Sequence, residues 1–140
     1  MMSLKAFFAQ NVQAEVVEEF VVSERFKDEN GKPIKWKLKT LTEQENEAIR
    51  KSATRYSKGK NGARQQEINQ EEYAAKLVVA SIVYPDLQNT DLQASYKVMG
   101  ADNLIKAMLL SGEYANVLLK VQELNGFDQD VDQLADEVKN

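Results

Sequence analysis

The 140-residue sequence contains no cysteine and no histidine, one tryptophan, two prolines and six glycines. Without thiols there is no disulfide staple, Cys-x-x-Cys redox pair, thiolate zinc site or cysteine nucleophile. Without imidazole there is no Ser-His-Asp or Cys-His constellation and no His-Glu-x-x-His zinc helix. Long hydrophobic runs are missing as well. The most apolar stretch, 77–84, falls far short of the ~20 residues that span a bilayer. The first ten residues hold one lysine and too short an apolar run for a signal peptide, so a cytoplasmic location is the expectation. Charge of one sign does not dominate either. Eighteen basic against 22 acidic residues give −4, which disfavours nucleic-acid binding by net charge alone.

What is present describes a folded chain. Hydrophobic residues make up 43% and charged residues 29%, the balance of an ordinary globular protein. Length predicts one domain over 1–140, a size that buries roughly 68–70% of its unfolded surface.

Residues 16–41 alternate with period two. Phe20, Val22 and Phe26 share one parity, and Ile34, Trp36 and Leu38 alternate with Lys35, Lys37 and Lys39. The stretch Asp28-Glu29-Asn30-Gly31-Lys32-Pro33 between them is hairpin punctuation. A two-residue Asn30-Gly31 turn would put the two apolar rows on opposite faces. A three-residue Glu29-Asn30-Gly31 loop instead pairs Phe26 with Ile34, Val22 with Leu38 and Glu24 with Trp36, and sets glycine at the left-handed position. The other face then carries Arg25, Lys27, Lys35, Lys37 and Lys39, with Arg25 opposite Lys35. Such a face either protects an exposed hairpin from edge-to-edge pairing or docks an acidic partner.

From residue 42 the period becomes 3.6. Thr42-x-x-Glu45 is a capping box opening a stripe of Ala48, Ile49, Ala53 and Tyr56, and 57–63 reads as a loop. Asn69-x-x-Glu72 opens the most apolar helix, with Tyr73, Leu77, Val78, Ser81 and Ile82 inward, stopped by Pro85. A short helix from Asp91 to Val98 follows, then one from Asp102 with Leu104, Ile105, Met108 and Leu109 inward. The next begins at Ser111, with Tyr114, Val117, Leu118, Val121 and Leu124 inward, and ends at Asn125-Gly126. Residues 128–140 carry Val131, Leu134, Ala135 and Val138 on an acidic helical pattern. The predicted fold is therefore α+β and mainly α: an N-terminal hairpin (about 16–41) packed on about five helices (about 42–126), with an acidic C-terminal helix (about 128–140).

Motifs that could carry chemistry fail their tests. Asp128-x-Asp130-x-Asp132 begins like a calcium loop, but Gln133 and Lys139 stand where that loop needs glycine and glutamate. No phosphate-binding Gly-rich loop with Lys-Ser/Thr occurs, and no carboxylate pair is nominated for catalysis. No cofactor or metal is expected. Gly59-Lys60-Asn61-Gly62 lies among Arg50, Lys51, Arg55, Lys58, Lys60 and Arg64, with no acid between 48 and 66. The remaining chain then holds 12 basic against 22 acidic residues. Segment 50–64 thus supports a second reading, a small nucleic-acid-binding regulator, beside a solvated loop.

The order of several strings carries a family resemblance. Val21-Val22-Ser23-Glu24-Arg25-Phe26, Asn30-Gly31-Lys32-Pro33-Ile34-Lys35-Trp36 and Leu41-Thr42-Glu43-Gln44-Glu45 come first. Tyr84-Pro85-Asp86-Leu87-Gln88-Asn89, Leu92-Gln93-Ala94-Ser95-Tyr96, Leu104-Ile105-Lys106-Ala107-Met108-Leu109, Gly112-Glu113-Tyr114 and Asn125-Gly126-Phe127-Asp128 follow. Over residues 4–140 the chain resembles phage tail assembly chaperones of the XkdN-like kind, found in PBSX-type prophage tail clusters. The resemblance implies a non-enzymatic protein of the bacterial host cytoplasm that binds the tape measure protein and supports tail tube assembly. It also implies the tail tube protein, a frameshifted longer form of the chain and further copies of itself as partners, with no membrane. Two surfaces are candidates for partner contact. One is the basic hairpin face of Arg25, Lys27, Lys35, Lys37 and Lys39; the other is the Val131, Leu134 and Val138 stripe.

Overall fold

The computed structural model describes residues 4–13, 15–59 and 62–127. Two short 3-10 turns, Leu4–Phe7 and Ala9–Asn11, precede β1 (Val17–Phe20) and β2 (Trp36–Lys39). Then come α1 (Glu43–Ser52), β3 (Thr54–Lys58), β4 (Arg64–Ile68), α2 (Gln70–Ser81) and β5 (Ile82–Tyr84). The described order closes with α3 (Thr90–Ser95), α4 (Ala101–Met108) and α5 (Ser111–Leu124). Among the described residues five helices and small sheets make the fold α+β and mainly α, as expected.

The tip of the first hairpin follows the predicted register. Ile34 N–H donates to the Phe26 carbonyl at 2.8 Å, and Asp28 N–H to that of Lys32 at 2.9 Å. Gly31 takes φ 78°, and Asp28 Oδ1 accepts from the N–H groups of Asn30 (2.8 Å) and Lys32 (3.0 Å). Further out the register differs. β1 pairs Phe20 with Trp36 and Glu18 with Leu38, so the predicted Val22–Leu38 and Glu24–Trp36 pairs do not form. Residues 21–25 leave the ladder as an excursion on one strand. An offset of even length keeps the apolar residues on one face, so the face survives the slip. Val22 is buried, and Arg25 no longer lies opposite Lys35, where like charges would repel.

Two further elements correct the sequence reading. The helix opened by Asn69 ends at Ser81, and Ile82–Tyr84 is a strand that pairs antiparallel with β2. Pro85 denies Tyr84 the α region, and β-branched Ile82 and Val83 suit the strand that β2's open edge accepts. The sheet order is therefore β1-β2-β5. The predicted stripe beyond Ser52 is also not helical. Residues 54–58 and 64–68 form an antiparallel hairpin, pairing Thr54 with Ile68, Arg55 with Glu67 and Tyr56 with Gln66. What reads as a loop at 57–63 contains the hairpin's end, where Gly62 takes φ 75°.

The inner face of β2 meets the helices. Trp36 and Leu38 are fully buried with Leu77 and Val78 of α2, Leu104 and Ile105 of α4, and Val117 and Val121 of α5. α2 packs against α1, α4, α5 and β5, the central place its apolar circumference predicts. The helix starts carry their predicted caps. Thr42 and Glu45 form a reciprocal capping box on α1, and Asn69 accepts from Glu72 N–H at 3.0 Å on α2. Gln93, buried in α3, donates to the Leu87 carbonyl and accepts from Gly100 N–H, both at 2.9 Å, tying the loops on either side.

Ser81 is the exception to this satisfaction. Among the described residues its hydroxyl is a fully buried side-chain oxygen without a hydrogen-bond partner. An unpaired buried hydroxyl costs about 1–3 kcal/mol. Urea unfolding should therefore separate two alanine substitutions by sign. Leu104→Ala should lower stability by about 2–5 kcal/mol, while Ser81→Ala should leave it unchanged or raise it.

Candidate partner-docking surfaces

Alternation along β2 sends Lys37 to the outer face of the sheet, with Lys39 half-buried beside it and Lys35 exposed just before the strand. The face is mixed rather than uniformly basic. Glu19 stands opposite Lys37, Val17 opposite Lys39, and Tyr84 of β5 flanks Lys37 from the other side. Lys39 Nζ lies 3.8 Å from carboxylate oxygens of both Glu15 and Glu45. Lys27, exposed, bridges to Pro33 near the hairpin tip.

Arg25 is elsewhere. Its Nε donates to Glu113 Oε2 at 3.0 Å and its Nη2 to Glu113 Oε1 at 2.5 Å, a bidentate pair. The same Nη2 donates to the Met108 carbonyl at 3.0 Å, and the guanidinium lies 5.0 Å from the Phe26 ring centre. Glu113 sits in the first turn of α5 and also accepts from Leu110 N–H at 2.8 Å, so it caps the helix while holding the hairpin. Hydrogen bonds from Arg25, from Ser23 and from Leu110 N–H hold its carboxyl at about 2, below the ordinary 4.5, and the same pair raises Arg25. Of the five basic residues, Arg25 thus works as an internal clasp.

The basic segment 50–64 covers the end of α1 and the β3–β4 hairpin. Its charges meet carboxylates: Arg50 pairs with Glu43 (3.3 Å), Lys51 with Glu47 (2.9 Å) and Arg55 with Glu72 (2.5 Å). Arg64 stacks its guanidinium 4.0 Å from the Tyr56 ring centre. Glu43, Glu47 and Glu72 lie outside the acid-free stretch, so folding pairs Arg50, Lys51 and Arg55 with acids that the local sequence does not show.

A further surface was not singled out by sequence reasoning. Gln70, Glu71 and Ala74 of α2, Lys106 of α4, Leu109, and Ser111, Tyr114 and Leu118 of α5 line a groove of about 600 Å³. Leu109 is buried at its floor, while Ala74, Tyr114 and Leu118 are half-buried and face it. Burial, with Asp102 and Glu71 nearby, pushes the Tyr114 phenol up from its ordinary value. The groove offers apolar walls with Glu71 and Lys106 at its edge, the composition that receives an amphipathic helix or apolar side chains. Periodicity put Leu109, Tyr114 and Leu118 inward but carries no information on whether a neighbour covers them. Val131, Leu134 and Val138 lie outside the described residues. Among the described residues no cluster of acidic side chains could hold a metal ion, and no helix is long and apolar enough to cross a membrane.

Known proteins resemble this chain in sequence and in fold. A family model described as phage XkdN-like tail assembly chaperone protein matches residues 4–139. The phage-like element PBSX protein XkdN of Bacillus subtilis (strain 168) is 32% identical over 132 residues, covering 94% of this chain and 88% of its own. The protein YqbN of the same strain is 33% identical over 132 residues, with the same coverage. The crystal structure of a protein titled yqbn superposes with a TM-score of 0.76 and 25% identity, covering 90% of this chain and 98% of that one.

The clasp sets an acid dependence. Because folding lowers the Glu113 value, its contribution to stability is complete above about 4.5 and is lost as pH falls toward about 2. In thermal melts from pH 6 to pH 2.5, Glu113→Gln should be less stable than the parent at pH 6, and the difference should shrink as pH falls. A constant difference would mean that the carboxylate is not the group that matters.

Proposed function

The chain belongs to the phage XkdN-like tail assembly chaperone family, and we propose that it binds the tape measure protein by receiving an amphipathic helical segment in the α2–α4–α5 groove. The observation that carries this reading is the groove itself. Its half-buried Ala74, Tyr114 and Leu118 lie over a buried Leu109, apolar surface that the described residues leave open. A long helical client presents apolar side chains at i, i+3, i+4 and i+7, and a furrow between helices is the complementary shape. The work is binding, with no catalysis: apolar burial shields the client from aggregation and is reversible when tail tube subunits compete for it. The host cytoplasm is the place where such a client is made, and nothing in the mechanism requires a cofactor.

The outer sheet face supplies the second contact. Lys35 and Lys37 are exposed there beside Tyr84 and Val17, and Lys27 stands exposed at the hairpin tip. Such mixed charge and aromatic surface sets orientation and encounter rate more than affinity. The Val131, Leu134 and Val138 stripe is proposed as an additional contact that lengthens the footprint on the client. The nucleic-acid reading draws little support, because Arg50, Lys51 and Arg55 already have carboxylate partners.

Co-purification with the tape measure protein tests both surfaces. Ala74→Arg, which fills the groove, should reduce recovery at least tenfold. The triple change Lys35→Glu, Lys37→Glu and Lys39→Glu should weaken recovery in a salt-dependent way, with folding intact by circular dichroism. Full recovery with Ala74→Arg would remove the groove from the binding site.

A further inference from the structure

Folding leaves the β3–β4 hairpin with two cations set against each other. Lys58 and Arg64 are direct partners in its register, an arrangement in which like charges repel. Among the described residues no carboxylate pairs with either of them. The Arg64 guanidinium lies 4.0 Å from the Tyr56 ring centre, which holds its planar fork in place. Tyr56 and its strand partner Gln66, whose amide donates to the Tyr56 hydroxyl at 3.1 Å, continue the same face toward α1. Two hollows of about 300 and 450 Å³ run along this face, the second reaching Arg50 and Lys51 at the end of α1. Those two cations keep one carboxylate each, Glu43 and Glu47, while no acid lines either hollow. The hairpin's Glu67 alternates to the other face, opposite Arg55.

The chain leaves the described fold beside the start of α1. Asn125 Oδ1 accepts from Leu41 N–H at 2.7 Å, and Phe127 shares a small hollow with Thr42, Glu43 and Asn46. Residues 128–140 follow, outside the described structure. In sequence they hold Asp128, Asp130, Asp132, Asp136 and Glu137 against Lys139. We propose that this acidic segment docks on the basic strip of its own chain, its carboxylates bridging Lys58 and Arg64.

Reach permits the contact at any angle between α1 and the hairpin. Laid end to end, α1 and β3 span about 32 Å, at about 1.5 Å per helical and ~3.4 Å per strand residue. The segment extends to about 43 Å. A carboxylate between the two cations turns their repulsion into charge-assisted hydrogen bonds, and the guanidinium fork takes it bidentately. The phosphates of a nucleic-acid strand carry the same charge, but the strip gives such a strand little else. Tyr56 is the one aromatic residue of the hairpin and already carries Arg64, whereas single strands are held by stacking successive bases. A tethered segment also acts at about millimolar effective concentration, against which a free polyanion must compete. Neither the strip nor these carboxylates enter the client reading, so the contact stands or falls apart from it.

Because the sequence has no cysteine, Gln133→Cys in the full chain accepts a single nitroxide label. At low salt the label should broaden the amide signals of Ser57, Lys58, Arg64 and Gln65. That relaxation enhancement should fall at least threefold in 1 M salt, where the screening length is about 3 Å. It should fall as far when Asp128→Asn, Asp130→Asn, Asp132→Asn, Asp136→Asn and Glu137→Gln are combined, and again with Lys58→Ser and Arg64→Ser. Lys58→Ser alone, which keeps the Arg64–Tyr56 stack, replaces the pair should that variant fail to fold. Nitroxide-bearing chains mixed with nitroxide-free, isotope-enriched chains should give no broadening. Hairpin signals untouched by the label, an enhancement that survives 1 M salt, or broadening between chains would each overturn the contact. Loss of the enhancement on adding equimolar oligothymidylate would overturn it too and assign the strip to nucleic acid.

Discussion

Burial of Trp36 and Leu38 from one four-residue strand ties the sheet to the helices. Both side chains are all but inaccessible, and they meet α2, α4 and α5 in one cluster. β2 is also hydrogen-bonded along both edges, by β1 and by β5. β5 continues directly from α2, so the central helix is anchored at its end to the strand whose side chains it covers. Phe26 packs its ring 5.6 Å from that of Trp36, which brings the hairpin tip into the same contact. The outward side chains of β2 are lysines because its inward ones are the core.

The Arg25–Glu113 clasp and the groove share the turn between α4 and α5. α4 is eight residues, about 12 Å long, and α5 is fourteen, about 21 Å. The groove is lined where the end of α4 passes into the start of α5, beside the first half of α2. Arg25 holds the Met108 carbonyl at the end of α4, Glu113 caps the helix that follows, and Leu109 between them forms the groove floor. A side chain that the sequence places on a docking face thus fixes the wall of a different surface, one carrying no charge pattern of its own.

How much of this was legible in the sequence follows from the range of each signal. Local signals read well: the Thr42 and Asn69 caps, Gly31 at the left-handed position, Gly126 after α5, and the inward rows of α4 and α5 all appear where expected. Parity fixed which hairpin residues face inward, but an even-numbered slip leaves parity unchanged, so β1's partners could not be told from it. The second hairpin had a readable sign. Asn61-Gly62 repeats the Asn30-Gly31 dipeptide of the first, and Tyr56 was consistent with a helical stripe only by spacing. β5 depends on an open edge of β2, a tertiary fact. Arg25's partner is 88 residues away, and the groove brings together residues of α2, α4 and α5 that lie far apart in the chain. Neither leaves a mark within a local window.

The work proposed for these surfaces is binding, which needs neither thiol nor imidazole. Binding of the client in the α2–α4–α5 groove, as proposed, is read out by amide chemical-shift mapping of the isotope-labelled chain, titrated with helical fragments of the tape measure protein. Shifts should cluster at Gln70, Ala74, Lys106, Tyr114 and Leu118, with weaker changes at Lys35 and Lys37. Shifts confined to the β3–β4 hairpin, with the groove silent at saturation, would contradict it.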